Sequence, residues 1–148
     1  DLLATIFAET GVQPSGLRLE LTESLVVTDF TSTAQTMATL KQQGVSFSLD
    51  YFGTGYSSLA YLRKLPLDQL KIDRSFMRDV LTDQNDASIV RSIIALGDSL
   101  GLEVMAEGVE TAGQRQFLAD AGCHLYQGFL YQQAMSGETF TQYATGMH

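Results

Sequence analysis

Five polar residues stand at the ends of five strand-like segments: Glu20, Asp50, Lys71, Glu107 and Gln127. Asp73 follows Lys71 by two residues, and Glu110 follows Glu107 by three. Carboxylate oxygens are hard ligands that suit Mg²⁺, Mn²⁺ or Ca²⁺, and the lack of neighbouring histidine or cysteine argues against a structural zinc site. A cation held this way polarises a phosphoryl oxygen and lowers the pKa of a bound water. Lys71 adds the positive charge that a phosphate or an attacking hydroxide needs. The chemistry that fits is metal-assisted hydrolysis of a phosphoester.

Each of these residues alone also has a structural reading. An acid at a strand end caps a turn or a helix, Lys71 can pair with Asp73 inside the fold, and Glu107 or Glu110 can cap the next helix. Asp50 carries more weight, because it leads into the loop Phe52, Gly53, Thr54, Gly55, Tyr56, Ser57 and Ser58. Glycines permit a tight turn there and hydroxyls tie it down. Such a loop costs chain entropy without adding to a core. Phe52 and Tyr56 serve packing as readily as ligand contact.

The elements that must position these groups alternate between two periods. Residues 17–23 and 45–52 alternate with period two and read as strands. Shorter strands are expected over 69–73, 102–107 and 124–129. Helices are expected over 2–7, 31–43, 58–65, 86–100 and 112–121, with a weaker one from Gly137 onward. Gly44, Gly101 and Gly122 are placed as glycine is just past a helix end. Ile89, Ile93, Leu96 and Leu100 supply the expected buried stripe of the longest helix. Strands separated by helices imply parallel neighbours joined by crossovers.

The strands carry one apolar and one polar face. Val45, Phe47 and Leu49 oppose Ser46, Ser48 and Asp50, and Leu17, Leu19 and Leu21 oppose Arg18, Glu20 and Thr22. Central strands of a doubly wound sheet are apolar on both faces. The pattern instead fits a β/α barrel with helices outside and chemistry at its C-terminal mouth. The expected fold class is therefore α/β, a partial TIM-like (β/α)8 barrel of about five β/α units. Eight strands need roughly 250 residues, so residues 1–148 are expected to be the C-terminal portion of a larger domain.

Composition bounds the partners. Of the 148 residues, 45% are hydrophobic and 18% charged, an ordinary globular balance. No apolar run is long enough to span a bilayer, and no signal peptide is visible. The net charge of −8 argues against a nucleic-acid polymer or an anionic membrane surface as partner. The single cysteine, Cys123, excludes an internal disulfide and suits a reducing cytoplasm.

The runs LELTES, DYFGTGYSSL, LPLDQLKIDRSF, GLEVMAEGVET and GCHLYQGF, in this order, resemble the EAL family. That family comprises bacterial cyclic-di-GMP phosphodiesterases and their inactive, ligand-binding relatives. The resemblance implies a TIM-like barrel, Mg²⁺ or Mn²⁺ as cofactor, and cyclic-di-GMP as ligand. Glu20 and Asp50 look like metal ligands, and Lys71 like the residue that orients or deprotonates the attacking water. Glu107 and Gln127 look like members of the metal and water shell, with Asp73 and Glu110 behind them. Glu23 looks like the carboxylate that anchors the glycine loop, which in the family couples the metal site to dimer contacts. A homodimer, or completion of the barrel by a further segment, is expected.

The chain departs from the family pattern in two respects. The Glu-Ala-Leu tripeptide and a metal-binding asparagine are expected upstream. Tyr51 stands where the family has a second aspartate, normally a metal ligand. A tyrosine with a pKa near 10 is neutral at pH 7 and does not replace that charge. The favoured expectation is a degenerate domain that binds cyclic-di-GMP with impaired or absent hydrolysis. An active Mg²⁺- or Mn²⁺-dependent phosphodiesterase is the alternative. A Schiff-base lyase using Lys71 is a more distant one.

Overall fold

In a computed structural model of the chain, residues 2–22, 29–52 and 62–146 are described, apart from the side chains of Tyr51 and Phe52. Helix α1 (Leu2–Thr10) and a 3-10 turn (Pro14–Gly16) lead into β1 (Arg18–Thr22). Helix α2 (Phe30–Gln42) precedes β2 (Ser46–Phe52), and β3 (Gln69–Ile72) is followed by short α3 (Arg74–Arg78) and long α4 (Gln84–Leu100). Strand β4 (Glu103–Ala106), α5 (Ala112–Asp120), β5 (Leu125–Tyr126) and α6 (Gly137–Thr145) complete the order.

The five strands form one parallel sheet in the order β1-β2-β3-β4-β5. Each strand lies beside its sequence neighbour, so the order never reverses. A doubly wound sheet reverses at a switch point, whereas a β/α barrel does not. The structure is therefore the wall of a partial TIM-like barrel, as expected.

Local chemistry sets the helix ends. Asp29 accepts the Ser32 amide at 3.1 Å to cap α2, and Asp83 accepts the Asn85 amide at 2.7 Å to cap α4. Gly101 closes α4 at φ 68°, a conformation glycine takes without a Cβ penalty. The core lies between strands and helices. Phe47, Leu49, Leu70, Ile72 and Ala106 are buried from the sheet, against Val90, Ile93, Ile94 and Leu118 from α4 and α5. Each contributes about 1.5–3 kcal/mol of burial where the side chain is large.

Four sequence expectations change. In α4, Ala87, Val90, Ile93, Ile94 and Gly97 are buried, and Ile89 is exposed. At 100° per residue, Ile89 falls about a quarter-turn from the centre of that stripe. The strand expected over 124–129 is only Leu125–Tyr126. Beyond it, Gly128 packs against the Val109 backbone and the chain turns away. The segment 74–78, with no assigned element, forms α3, started by Asp73 accepting the Ser75 amide at 2.8 Å. The alternation expected through β2 is interrupted. Leu49 pairs with Leu70 and Phe52 with Ile72, so Asp50 and Tyr51 together oppose Lys71 in a bulge. Of the helix expected over 58–65, only Leu62 to Leu65 falls within the described residues. No helix among the described residues is long and apolar enough to cross a membrane.

Candidate functional site

Parallel pairing brings the C-terminal ends of all five strands to one rim. Lys71 on β3 is at its centre, with a side chain only 3% exposed. Its Nζ lies 2.8 Å from Glu20 Oε2 on β1, 3.8 Å from Asp50 Oδ1 on β2 and 2.5 Å from Glu107 Oε1 just past β4. Gln127, just past β5, donates from Nε2 to Glu107 Oε1 at 2.8 Å. Each of the five strands thus supplies one residue to one connected cluster.

The environments of the three acids differ. Glu20 is 54% exposed, whereas Asp50 and Glu107 are 16% and 17% exposed. Burial alone would lower the Lys71 pKa. Hydrogen bonds to Glu107 and Glu20, with the charges of Glu107 and Asp50, outweigh that and hold it above the ordinary lysine value. Lys71 is therefore a fixed ammonium at neutral pH. It can orient an anion or a water, but has no lone pair with which to take a proton.

Two predicted residues sit apart from this cluster. Asp73 does not pair with Lys71; it is the N-cap of α3 and is itself buried. Past the strand end the chain turns into the helix, so residues 71 and 73 no longer share a face. Among the described residues, the Glu110 carboxylate caps no helix. Thr111 and Gln114 form the capping box of α5, and the Glu110 amide donates to Gln114 Oε1 at 2.8 Å. Asp73 and Glu110 instead line an open cavity of about 600 Å³ with Arg74, Ser75, Arg78, Gly108 and Gln114.

Sequence reasoning missed Gln114, although Thr111-x-x-Gln114 is the pattern of a capping box. Arg74 and Arg78 carried no signal beyond their charge. Glu23 and the loop Gly53, Thr54, Gly55, Tyr56, Ser57 and Ser58 lie outside the described residues, as do the side chains of Tyr51 and Phe52.

The donor chemistry of Glu20 and Asp50 fits a hard divalent cation. Among the described residues, however, no three acidic, histidine or cysteine side chains are gathered closely enough to hold one. The Lys71 ammonium occupies the point on which the carboxylates converge. The described donors thus suit a divalent ion in type but do not form a preformed cage for it.

A sequence model of the EAL domain matches residues 1–134. The bifunctional diguanylate cyclase/cyclic di-GMP phosphodiesterase MucR of Pseudomonas aeruginosa is 47% identical over 138 residues, covering 93% of this chain and 20% of that protein. The chain thus spans about a fifth of the length of that curated relative. The solved structure of the MucR phosphodiesterase in complex with c-di-GMP superposes with a TM-score of 0.88 at 44% identity, covering 93% of this chain and 56% of that one. The EAL domain of Mycobacterium smegmatis DcpA gives a TM-score of 0.90 at 41% identity, covering 97% of this chain and 65% of that one. Klebsiella pneumoniae BlrP1, solved as calcium and manganese complexes with c-di-GMP, gives TM-scores of 0.80 and 0.79 at 33% identity, covering 87% of this chain and 33% of BlrP1. The chain belongs to the EAL domain family.

Proposed function

We propose that this EAL domain binds cyclic di-GMP at its C-terminal rim as a regulatory ligand and hydrolyses it slowly or not at all. The observation that carries the reading is the Lys71-centred cluster, in which a fixed ammonium and three carboxylates meet at a net-negative rim that calls for a divalent cation beside a ligand phosphate. With a divalent cation offsetting the carboxylates, the Lys71 ammonium would donate to a ligand phosphate, and Gln127 holds Glu107 in place for it. Mg²⁺ or Mn²⁺, where bound, would be held by Glu20 and Asp50 and would polarise a phosphoryl oxygen. Tyr51 stands in sequence where the family has a second aspartate and brings no carboxylate to such an ion, so hydrolysis would suffer before ligand binding does. The remaining barrel wall is proposed to come from a further segment or a second copy of the chain.

The phosphodiesterase activity for which the relatives are named favours a second reading, an active Mg²⁺- or Mn²⁺-dependent phosphodiesterase. Release of linear dinucleotide separates the two. The regulatory reading expects calorimetric binding of cyclic di-GMP with little release, and a gain of at least about tenfold for Tyr51→Asp in a protein carrying the Glu-Ala-Leu segment, about 1.4 kcal/mol of barrier. Brisk release by the natural sequence, lost on Tyr51→Asp, would establish the second reading instead. Mn²⁺ titrations of the natural chain and Asp50→Ala should differ; identical curves would remove Asp50 from the ion's edge. An imine-forming role for Lys71 is disfavoured by the carboxylates that keep it protonated.

A further inference from the structure

Gln114 is a buried amide, 6% exposed, in the first turn of α5. Its Oε1 accepts the Glu110 and Thr111 amides at 2.8 and 3.0 Å. Its Nε2 donates to the Met77 carbonyl at 2.8 Å, on α3 and 37 residues away in sequence. The first two bonds are local and belong to the cap of α5. The third satisfies an orphan last-turn carbonyl of α3, an element far from α5 in sequence, and only a side chain with both an acceptor and an N–H donor makes all three.

The third bond lies just beyond the point where the sheet stops holding β3 and β4 together. Their ladder ends with the Glu107 amide donating to the Ile72 carbonyl at 3.0 Å. Next, Gly108 takes φ 69° against Arg74, where a Cβ would lie 2.7 Å from Arg74 Cβ. The Gln114–Met77 bond follows. Segment 107–111 is thereby fastened to segment 72–77 at the place where Lys71 and Glu107 meet. Gln114 and Gly108 also form part of the lining of the 600 Å³ cavity between the two segments.

We infer that Gln114 is a positioning residue that clamps the Glu107 loop to the Lys71 segment and so sets the geometry of the rim; its effect on ligand affinity rests on the cyclic di-GMP reading above. The clamp works through Met77 O, separately from the cap of α5. A glutamate at 114 would keep the capping box, because its carboxylate still accepts the two amides, and would replace the donor to Met77 O with a buried acceptor that repels it.

The test compares Gln114→Glu and Thr111→Ala in the full chain, using the ¹⁵N resonance of the Lys71 ammonium, amide exchange at Glu107 and Val109, and cyclic di-GMP affinity in Ca²⁺. Gln114→Glu should shift the Lys71 resonance, speed that exchange and weaken affinity by about threefold to tenfold, the value of one hydrogen bond. Thr111→Ala should lower the melting temperature and leave the Lys71 resonance in place. Should Gln114→Glu unfold, the uncharged Gln114→Met carries the same expectations for resonance and exchange. A Lys71 resonance and loop exchange unchanged by the Gln114 substitutions, or moved as far by Thr111→Ala, overturn the clamp. Failure of the unaltered chain to bind cyclic di-GMP would overturn the ligand reading instead, while the resonance and exchange measurements decide the clamp without ligand.

Discussion

The Lys71 ammonium lies 2.5 Å from Glu107 Oε1, joining the ends of two adjacent strands across the rim. Lys71 is almost fully covered, and Glu20 and Asp50 add two more negative charges within 4 Å. One cation therefore holds three carboxylates that would otherwise repel. Replacing it with methionine keeps the stem's packing and removes the charge. Lys71→Met should destabilise the fold by about 1–3 kcal/mol at pH 7, less than a fully enclosed pair would lose because Glu20 is half exposed. Chemical denaturation measures this, and an unchanged midpoint would mean that solvent, not Lys71, balances the acids.

A second charge cluster sits at the opposite end of β3. Asp68 accepts the Phe47 amide at 2.8 Å and pairs with Lys41, tying α2, β2 and the entry to β3 together. Burial alone would raise its pKa; the Lys41 hydrogen bond and charge, with the Phe47 amide and Arg18, outweigh that and hold it below the ordinary aspartate value. A carboxylate whose folded pKa is depressed contributes stability above its unfolded pKa and loses it as pH falls through the folded value. Asp68→Asn should therefore cost about 1–2 kcal/mol at neutral pH, reduced by the pair's partial exposure. The gap between variant and parent should close only below about pH 4. Unfolding curves across pH test it, and a gap that persists undiminished in acid would contradict it.

The rim residues were legible because each belongs to a strand end, and period-two alternation places strand ends well. Glu20, Asp50, Lys71, Glu107 and Gln127 all converge as expected. What escaped the sequence depends on distant partners. The bulge at Asp50–Tyr51 is set by pairing with β3, not by residues in β2. Ile89 looks as apolar as Val90, and only the direction from which β4 approaches α4 decides which one is covered. Gln114 advertises its helix cap through Thr111, three residues away, but its bond to Met77 spans 37. Asp73 shares Lys71's strand-like spacing until the chain turns into α3 and gives it an amide to cap.

Gly97, in the interior of α4, faces β4 so closely that a Cβ would lie 2.2 Å from Val104 Cγ2. Alanine is about 1 kcal/mol better than glycine inside a helix, but here overpacking opposes it. Gly97→Ala alone should destabilise by about 1–2 kcal/mol. In a Val104→Ala background the obstructing methyls are gone, and the same substitution should be neutral or stabilising. A double-mutant cycle checks the sign reversal. Additive effects would show that the helix shifts away from β4 rather than pressing on it.

Gly128 presents a tighter constraint, since its obstacle is backbone. A Cβ there would lie 2.2 Å from Val109 O and 2.3 Å from Val109 N. Those two atoms are engaged: the Val109 amide donates to Gln127 O and its carbonyl accepts from the Leu130 amide, both at 3.0 Å. No rotamer change relieves such a contact, so Gly128→Ala must part the two segments and weaken both bonds. The cost should be about 2–4 kcal/mol, the range of a severe local clash with lost hydrogen bonds. Gln127 would move with its backbone, and its side chain would leave Glu107, from which it now stands 2.8 Å. The side-chain amide resonances of Gln127 report that separation directly. A Gly128→Ala protein that keeps both its melting temperature and those resonances would mean the Gln127–Leu130 segment accommodates a Cβ by bending outward from Val109.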